Sequence, residues 1–292
     1  MNFLEAPEVD DEAVLEALAA NELLGSYPQL QAHVERILQG YGQYADVRGN
    51  CFSVANVLLP PEIENYLRAH FADPPNDLRY VTTLRMDTDF ALCPMCGSLH
   101  SGSLDHLLPK QQYAAFAMFS KNLVPACKCN SRRGNTYRGA AAGERVLHPY
   151  FDACLADRLV KARFEDLGPV PKVDVELCVD VGHPNYPAIA FHFQKIVRGS
   201  RINGYLSDRW MRFCRKPRAI VRNLHPVPAS VEGLAAILQD DLELTDEARG
   251  GKNNWDSIFT TGLLAPPVLA WLYEKLSVPG RSKDDPLINE TI

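Results

Sequence analysis

Apolar positions recur at helical spacing through the first seventy residues. Over residues 11–24, Val14, Leu15, Leu18, Leu23 and Leu24 fall on or near one helix face. Pro28 opens a second helical stretch to Tyr44, with Leu30, Val34, Ile37 and Leu38 as its stripe. Pro60 and Pro61 start a third, carrying Ile63, Tyr66, Leu67 and Phe71, and the breaker cluster at 72–77 ends it. Residues 78–92 lose this period and read as irregular, with a short extended piece. A loop and mixed structure follow from Val146. Over 172–181 the apolar residues Val173, Val175, Leu177 and Val179 alternate, which predicts a strand. Residues 187–222 read as one long amphipathic, basic helical region. Residues 230–240 and 254–264 read as further helices, and Pro266-Pro267 interrupts the last before an apolar stretch resumes. The pattern predicts a mostly helical α+β protein. It divides into a helical N-terminal region (1–77), a central segment (78–150) and a mostly helical C-terminal region (151–292).

Composition adds little to that picture until its distribution is read. An apolar fraction of 46 % and a charged fraction of 23 % are ordinary for a globular chain. No apolar run reaches the length of a membrane span, so no membrane partner is expected. The acidic start of the chain lacks a basic n-region, and a cytoplasmic location is expected. In that compartment eight cysteines indicate thiols and metal ligands rather than disulfides. The net charge of −6 argues against nucleic acid as a partner, but the charges are segregated. Residues 105–145 hold seven Lys/Arg against two acids, and residues 195–222 hold nine against Asp208 alone. Such local patches bind phosphates even on an acidic protein, although each also reads as a solvated face.

The candidate chemistry lies within residues 93–135. Cys93 and Cys96 form a CxxC pair, and Cys127 and Cys129 a C-x-C pair some thirty residues later. Two such pairs suit a tetrahedral structural zinc, with His100 as a substitute ligand if one late thiol stays free. Between them stands the dipeptide Asp105-His106. The Asp105 carboxylate and the Asn130 side-chain oxygen suit a hard divalent cation, Mg²⁺ or Mn²⁺. His106, titrating near neutrality, suits a general base. His148 reads either as a second functional histidine or as one packed beneath its loop. Cys51, Cys154, Cys178 and Cys214 have no partner at ligand spacing and read as core thiols. The aromatics of 186–214 read as helix core, with stacking on unpaired bases as the alternative.

The order of these residues resembles the HNH nucleases, the His-Me finger or ββα-metal group. Zinc-bearing members show CxxC, then DH-x-x-P, then NL, then CxxCN-x-x-[KR]-G-N. Here these stand as Cys93 and Cys96, Asp105-His106 with Pro109, Asn122-Leu123, and Cys127 through Asn135. The resemblance implies a hairpin carrying Asp105 and His106, a helix starting near Asn130, and a catalytic metal between them. By the same match Asp105 and Asn130 are the metal ligands and His106 the base. Asn122 orients the histidine or braces the loop, and Arg132 and Arg133 contact phosphate. Lys110, Lys128 and Arg138 extend that basic surface. Two departures stand out: the second cysteine pair is one residue short, and the usual glycine-rich turn after Asp-His is replaced by residues 111–121. A bacterial subgroup is also similar at 147–152 (Leu-His-Pro-Tyr-Phe-Asp) and at 251–264. Membership of that subgroup implies a role in antiphage defence, often beside an ATPase partner.

The expected function is metal-dependent DNA endonuclease activity. Two rivals share these residues. One is a zinc-containing module that binds nucleic acid or protein without cutting. The other is an interaction subunit of a defence complex, silent until a partner acts. A single ββα-metal unit cuts one strand, so a double-strand break calls for a homo-oligomer or two visits.

Overall fold

A computed structural model describes residues 1–87 and 92–288. The fold is α+β and mostly helical, with two small antiparallel sheets among the described residues. The N-terminal helices are α1 (Asp11–Ala20), α2 (Val34–Asp46), α3 (Pro61–Ala72) and α4 (Arg79–Asp87). The Asp10 carboxylate caps α1 by accepting from the Ala13 amide at 3.0 Å. This helix stops at Asn21, short of the expected residue 24. The second stretch begins as a 3₁₀ turn, Gln29–His33, before α2. α4 corrects the irregular reading of 78–92. Its β-branched Val81, Thr82 and Thr83 depress helix propensity, yet Val81 is fully buried, so tertiary packing overrides the local preference. The rest of that segment, 88–91, lies outside the described residues.

Next come strand β1 (Ser103–His106), strand β2 (Leu123–Ala126) and the short helix α5 (Lys128–Arg132). β1 and β2 pair antiparallel, with Asp105 opposite Val124 and His106 opposite Leu123. Strand alternation puts Leu104 and His106 on one face and Asp105 on the other. Leu104 and Leu123 join the apolar core of the N-terminal helices, together with Leu108, Phe116 and Phe119 from the intervening loop. Val124 and Ala126 join a second core built with the C-terminal helices. The hairpin is therefore clamped between two cores, which do not divide at residues 77 and 150.

The second sheet pairs β3 (Val160–Glu165) with β4 (Lys172–Leu177), so the predicted strand has a partner that its own pattern did not announce. The long basic helix is broken into α6 (Tyr186–His192), a π turn at Phe193–Val197, α7 (Ile202–Arg215) and α8 (Pro217–Ile220). Gly199-Ser200 and Pro217 account for the breaks. α9 (Val231–Arg249) runs nine residues beyond its expected end, until Gly250 adopts φ +66°. α10 (Trp255–Leu263) follows, capped by Asn254. Pro266 opens α11 (Pro266–Leu276) rather than interrupting a helix, because a first-turn proline has no helical N–H to lose. Trp210 and Phe213 pack with Phe164 and Phe259, so these aromatics serve the core. Cys51, Cys154 and Cys214 are buried thiols, whereas Cys178 is exposed and is not one. Among the described residues no helix is long and apolar enough to cross a membrane.

Candidate functional site

Cys93, Cys96, Cys127 and Cys129 converge, with all four sulfurs within 4.8 Å of one another. Cys93 and Cys129 are 3.6 Å apart, and Cys96 and Cys127 are 3.5 Å apart. A disulfide would need about 2 Å. A tetrahedral site with Zn–S near 2.3 Å has sulfur edges of about 3.8 Å. The donor set and spacing therefore fit a thiophilic metal such as zinc. Both members of the short C-x-C pair take part, because Cys127 stands at the N-cap of α5 and turns its sulfur back toward the Cys129 amide at 3.4 Å. The Cys127 amide donates to the Cys93 sulfur at 3.3 Å. Burial pushes the Cys93 thiol up, but hydrogen bonds from the other three cysteines outweigh it and hold it below the usual thiol range. His100 is exposed and lies outside the cluster.

The knuckle is fixed from the C-terminal region. The Trp255 indole donates to the Cys96 carbonyl at 2.9 Å, and the Trp255 amide to the Gly97 carbonyl at 3.0 Å. Gly97 has φ +81°, and a Cβ there would lie 1.9 Å from the Asn253 carbonyl oxygen. Only glycine fits. His192 closes the other side. Its Nε2–H donates to the Met95 carbonyl at 2.6 Å, while Nδ1 accepts from the Leu147 amide.

Asp105, His106 and Asn130 meet at a cleft of about 170 Å³ that Lys110 and Arg133 also line. The His106 Nε2 lies 2.9 Å from the Ala117 carbonyl. A carbonyl only accepts, so Nε2 carries the proton and Nδ1 keeps its lone pair, 3.9 Å from an Asp105 oxygen. Burial draws the imidazole down to about 4; the Ala117 bond and the Asp105 charge oppose this, and Lys110 and Arg85 add to it. At neutral pH the ring is thus an uncharged acceptor at Nδ1.

Asp105 accepts from the His106 amide and, at 2.8 Å, from the Asn130 side-chain nitrogen. The Asn130 oxygen is turned away and accepts from Arg133 Nε at 2.6 Å. A divalent cation can reach Asp105, whose side chain is 32 % exposed. Ligation by Asn130 requires its amide to turn over, which breaks its bonds to Asp105, the His106 carbonyl and Arg133. Arg133 is buried and donates to the His106 and Leu107 carbonyls, so it braces the hairpin instead of reaching outward to phosphate. Lys110 lies at the cleft, 4.5 Å above the Phe71 ring. Lys128 and Arg132 are exposed on the opposite face of α5, and Arg138 lines a separate open groove with Lys195.

Asn122 braces the loop between the strands. Its oxygen accepts from the Leu108 amide at 2.8 Å and the Tyr44 hydroxyl at 3.2 Å. Its nitrogen donates to the Leu108 and Phe116 carbonyls, both at 3.1 Å. The chain continues to His148, whose Nδ1 accepts from the Tyr150 amide, which leaves Nε2–H to donate to Tyr44. His148 is fully buried and distant from the cleft in this chain of bonds, so the packed reading holds. Asp152 secures the same segment through two bonds to Arg145 and one from the His148 amide. Tyr44, Phe71 and Arg85 bear on the site without any signal in their own sequence. The Phe71 ring meets His106 edge-on at 4.3 Å, and Arg85 stacks over Phe71.

Burial draws His148 to about 3 and His192 to about 4. Below pH 6.5 the unfolded chain protonates both imidazoles while the folded chain does not, so stability falls as pH drops from 6.5 toward 4. Each contributes a loss of about 2 kcal/mol between pH 7 and pH 5. Urea denaturation at the two pH values is expected to show a lower midpoint at pH 5, with net proton uptake on unfolding. Equal midpoints would contradict the buried neutral state.

No protein-family profile matches the chain, and no solved structure matches it. A stretch of 62 residues is 34 % identical to "Protein ea31" of Escherichia phage lambda. It covers 20 % of this chain and 21 % of that protein, so the similarity spans about a fifth of the relative's length.

Proposed function

We propose that this protein is a metal-dependent HNH-type endonuclease acting on DNA, with a ββα-metal core held by a four-cysteine zinc knot. The observation that carries the reading is the placement of His106. Its Nε2–H is locked to the Ala117 carbonyl, and its lone-pair nitrogen is left beside Asp105 in a cleft bounded by Asn130. A pure binding module has no need of a base oriented in this way. His106 Nδ1 takes a proton from water, the water oxygen bonds to phosphorus, and the bond from phosphorus to the 3′-oxygen breaks. The departing 3′-oxygen takes up a proton from solvent and His106 returns its own to solvent, so the products are a 5′-phosphate and a 3′-hydroxyl. Asp105, with Asn130 after its amide turns, would hold Mg²⁺ or Mn²⁺, which offsets charge on the phosphate and the leaving oxygen. Lys110 supplies the nearest cation to the incoming strand. A role in antiphage defence, with or without an ATPase partner, belongs to the same proposal and rests on the sequence resemblance.

Incubation with supercoiled plasmid tests the reading. Conversion to nicked or linear DNA is expected with Mg²⁺ or Mn²⁺ and not with EDTA. A protein inert on plasmid, single-stranded DNA and RNA across both metals would overturn it as a free-standing activity.

A further inference from the structure

The Ala117 carbonyl that accepts from His106 stands in a run of three consecutive carbonyls, and a different side chain donates to each. Asn122 donates to the Phe116 carbonyl at 3.1 Å, His106 to the Ala117 carbonyl at 2.9 Å, and the Tyr80 hydroxyl to the Met118 carbonyl. A little further on, the Ser120 amide and hydroxyl both donate to the Asp11 carboxylate, at 2.9 and 2.7 Å. Asp11 opens α1 and Tyr80 lies in α4. From α2 the Tyr41 ring stacks on Phe119 at 4.3 Å. Ala117, Met118 and Ser120 are all buried. The chain on the far side of Ala117 is therefore tied to the N-terminal helices, and a swing of its carbonyl would strain the bonds of both neighbours.

The direction of that carbonyl matters because the neutral imidazole has one proton and two acceptors close by. Ala117 lies 2.9 Å from Nε2, and Asp105 lies 3.9 Å from Nδ1. A carboxylate is a stronger acceptor than a carbonyl. A ring that gave its proton to Asp105 through Nδ1 would have no lone pair beside the cleft. The carbonyl keeps the proton on Nε2 only while it is held at close range. Packing alone does not account for Asp11. Burial, joined by Asp10, raises its carboxyl above the usual range, and the two Ser120 bonds and Lys121 oppose this. Apolar contacts such as Tyr41 on Phe119 would secure the loop without taking a carboxylate out of water.

We infer that Asp11 and Tyr80 are positioning residues: they fix the Ala117 carbonyl, and through it they hold His106 in the Nε2–H tautomer that keeps Nδ1 free. Neither residue lines the cleft, and both act through the loop. This deepens the nuclease reading and rests on it for the use made of Nδ1, but not for the tautomer itself.

The test is imidazole nitrogen NMR of full-length, zinc-loaded, histidine-labelled protein near neutral pH, with His106→Ala identifying the His106 signals. The wild type is expected to show a protonated Nε2 and an unprotonated Nδ1. Tyr80→Phe with Asp11→Ala is expected to move the proton to Nδ1 in most molecules, with zinc content and the other histidine signals unchanged. Should the double variant not fold, Tyr80→Phe alone, which removes a single oxygen, is read in the same way. On plasmid DNA the variant is expected to lower kcat by about tenfold with KM unchanged, less than the roughly 10²- to 10⁴-fold lost with a base. A wild-type ring with its proton on Nδ1, a folded variant whose ring stays wholly Nε2–H, or a shifted tautomer with unchanged kcat would each overturn the proposal. The tautomer is read without substrate, which separates the two readings. A chain that cuts no DNA but whose His106 proton moves in the variant keeps the clamp and loses the nuclease. Cleavage by a wild type whose variant stays Nε2–H does the reverse.

Discussion

His106→Ala is expected to nick supercoiled plasmid about 10²- to 10⁴-fold more slowly than the wild type, the usual contribution of a positioned general base. The geometry makes this residue hard to replace. Its Nε2–H is committed to the Ala117 carbonyl, so only Nδ1 can accept a proton. The acceptor must also stay neutral at working pH, and burial ensures that it does. The fold should survive the substitution. His106 lies outside the thiolate cluster, and the loop after it is held independently by the Asn122 bonds to Leu108 and Phe116. Removing the ring leaves space beside Phe71 and one carbonyl without a donor, a cost of about 1–3 kcal/mol. The decisive comparison is therefore rate at equal zinc content and equal melting behaviour. Equal rates in the two proteins would show that the base lies elsewhere or that the activity is a contaminant.

Withdrawing the metal from the cysteine cluster is expected to abolish the cooperative fold of the central region. Structural zinc contributes about 10–16 kcal/mol in small zinc-binding peptides. A whole domain has a net stability of only about 5–15 kcal/mol. Even a fraction of the first quantity rivals the second. The knot also sits where its loss spreads, because Trp255 and His192 anchor the C-terminal helices on the carbonyls of Cys96, Gly97 and Met95. Elemental analysis should find one zinc per chain. Chelation, or Cys96→Ser, should lower the melting temperature by more than about 10 °C, since 1 kcal/mol shifts it by about 2–4 °C at this size. A metal-free protein that melts unchanged would show that the four thiols pack without needing an ion.

Much of the candidate site could be read along the chain because its parts are near neighbours there. Asp105 and His106 are adjacent, and Cys127 to Arg133 is a single turn and helix. Short spacing restricts geometry enough that the thiolate pairs had to meet if they bound one metal. Helices with a clean apolar stripe and a proline start, such as α3, were equally legible. Pattern and structure part where local preference and packing disagree. α4 forms despite its β-branched residues because Val81 is buried. The basic helix breaks at Gly199-Ser200 and Pro217, where periodicity alone carries no boundary.

Other features depend on distant residues and could not be read from spacing. The direction of the Asn130 amide is set by Arg133 and Asp105 together. The choice between phosphate contact and internal brace for Arg133 is set by the His106 and Leu107 carbonyls that surround it. Tyr44 reaches Asn122 from α2, seventy-eight residues away, and Arg201, at the start of α7, lines one cavity with Lys128 and Arg132. Residue order therefore specifies which donors, acids and thiols are at hand, since bonded neighbours cannot separate. Their hydrogen-bond partners, tautomers and exposure follow from which surfaces the two apolar cores bring together, and that depends on the whole chain at once.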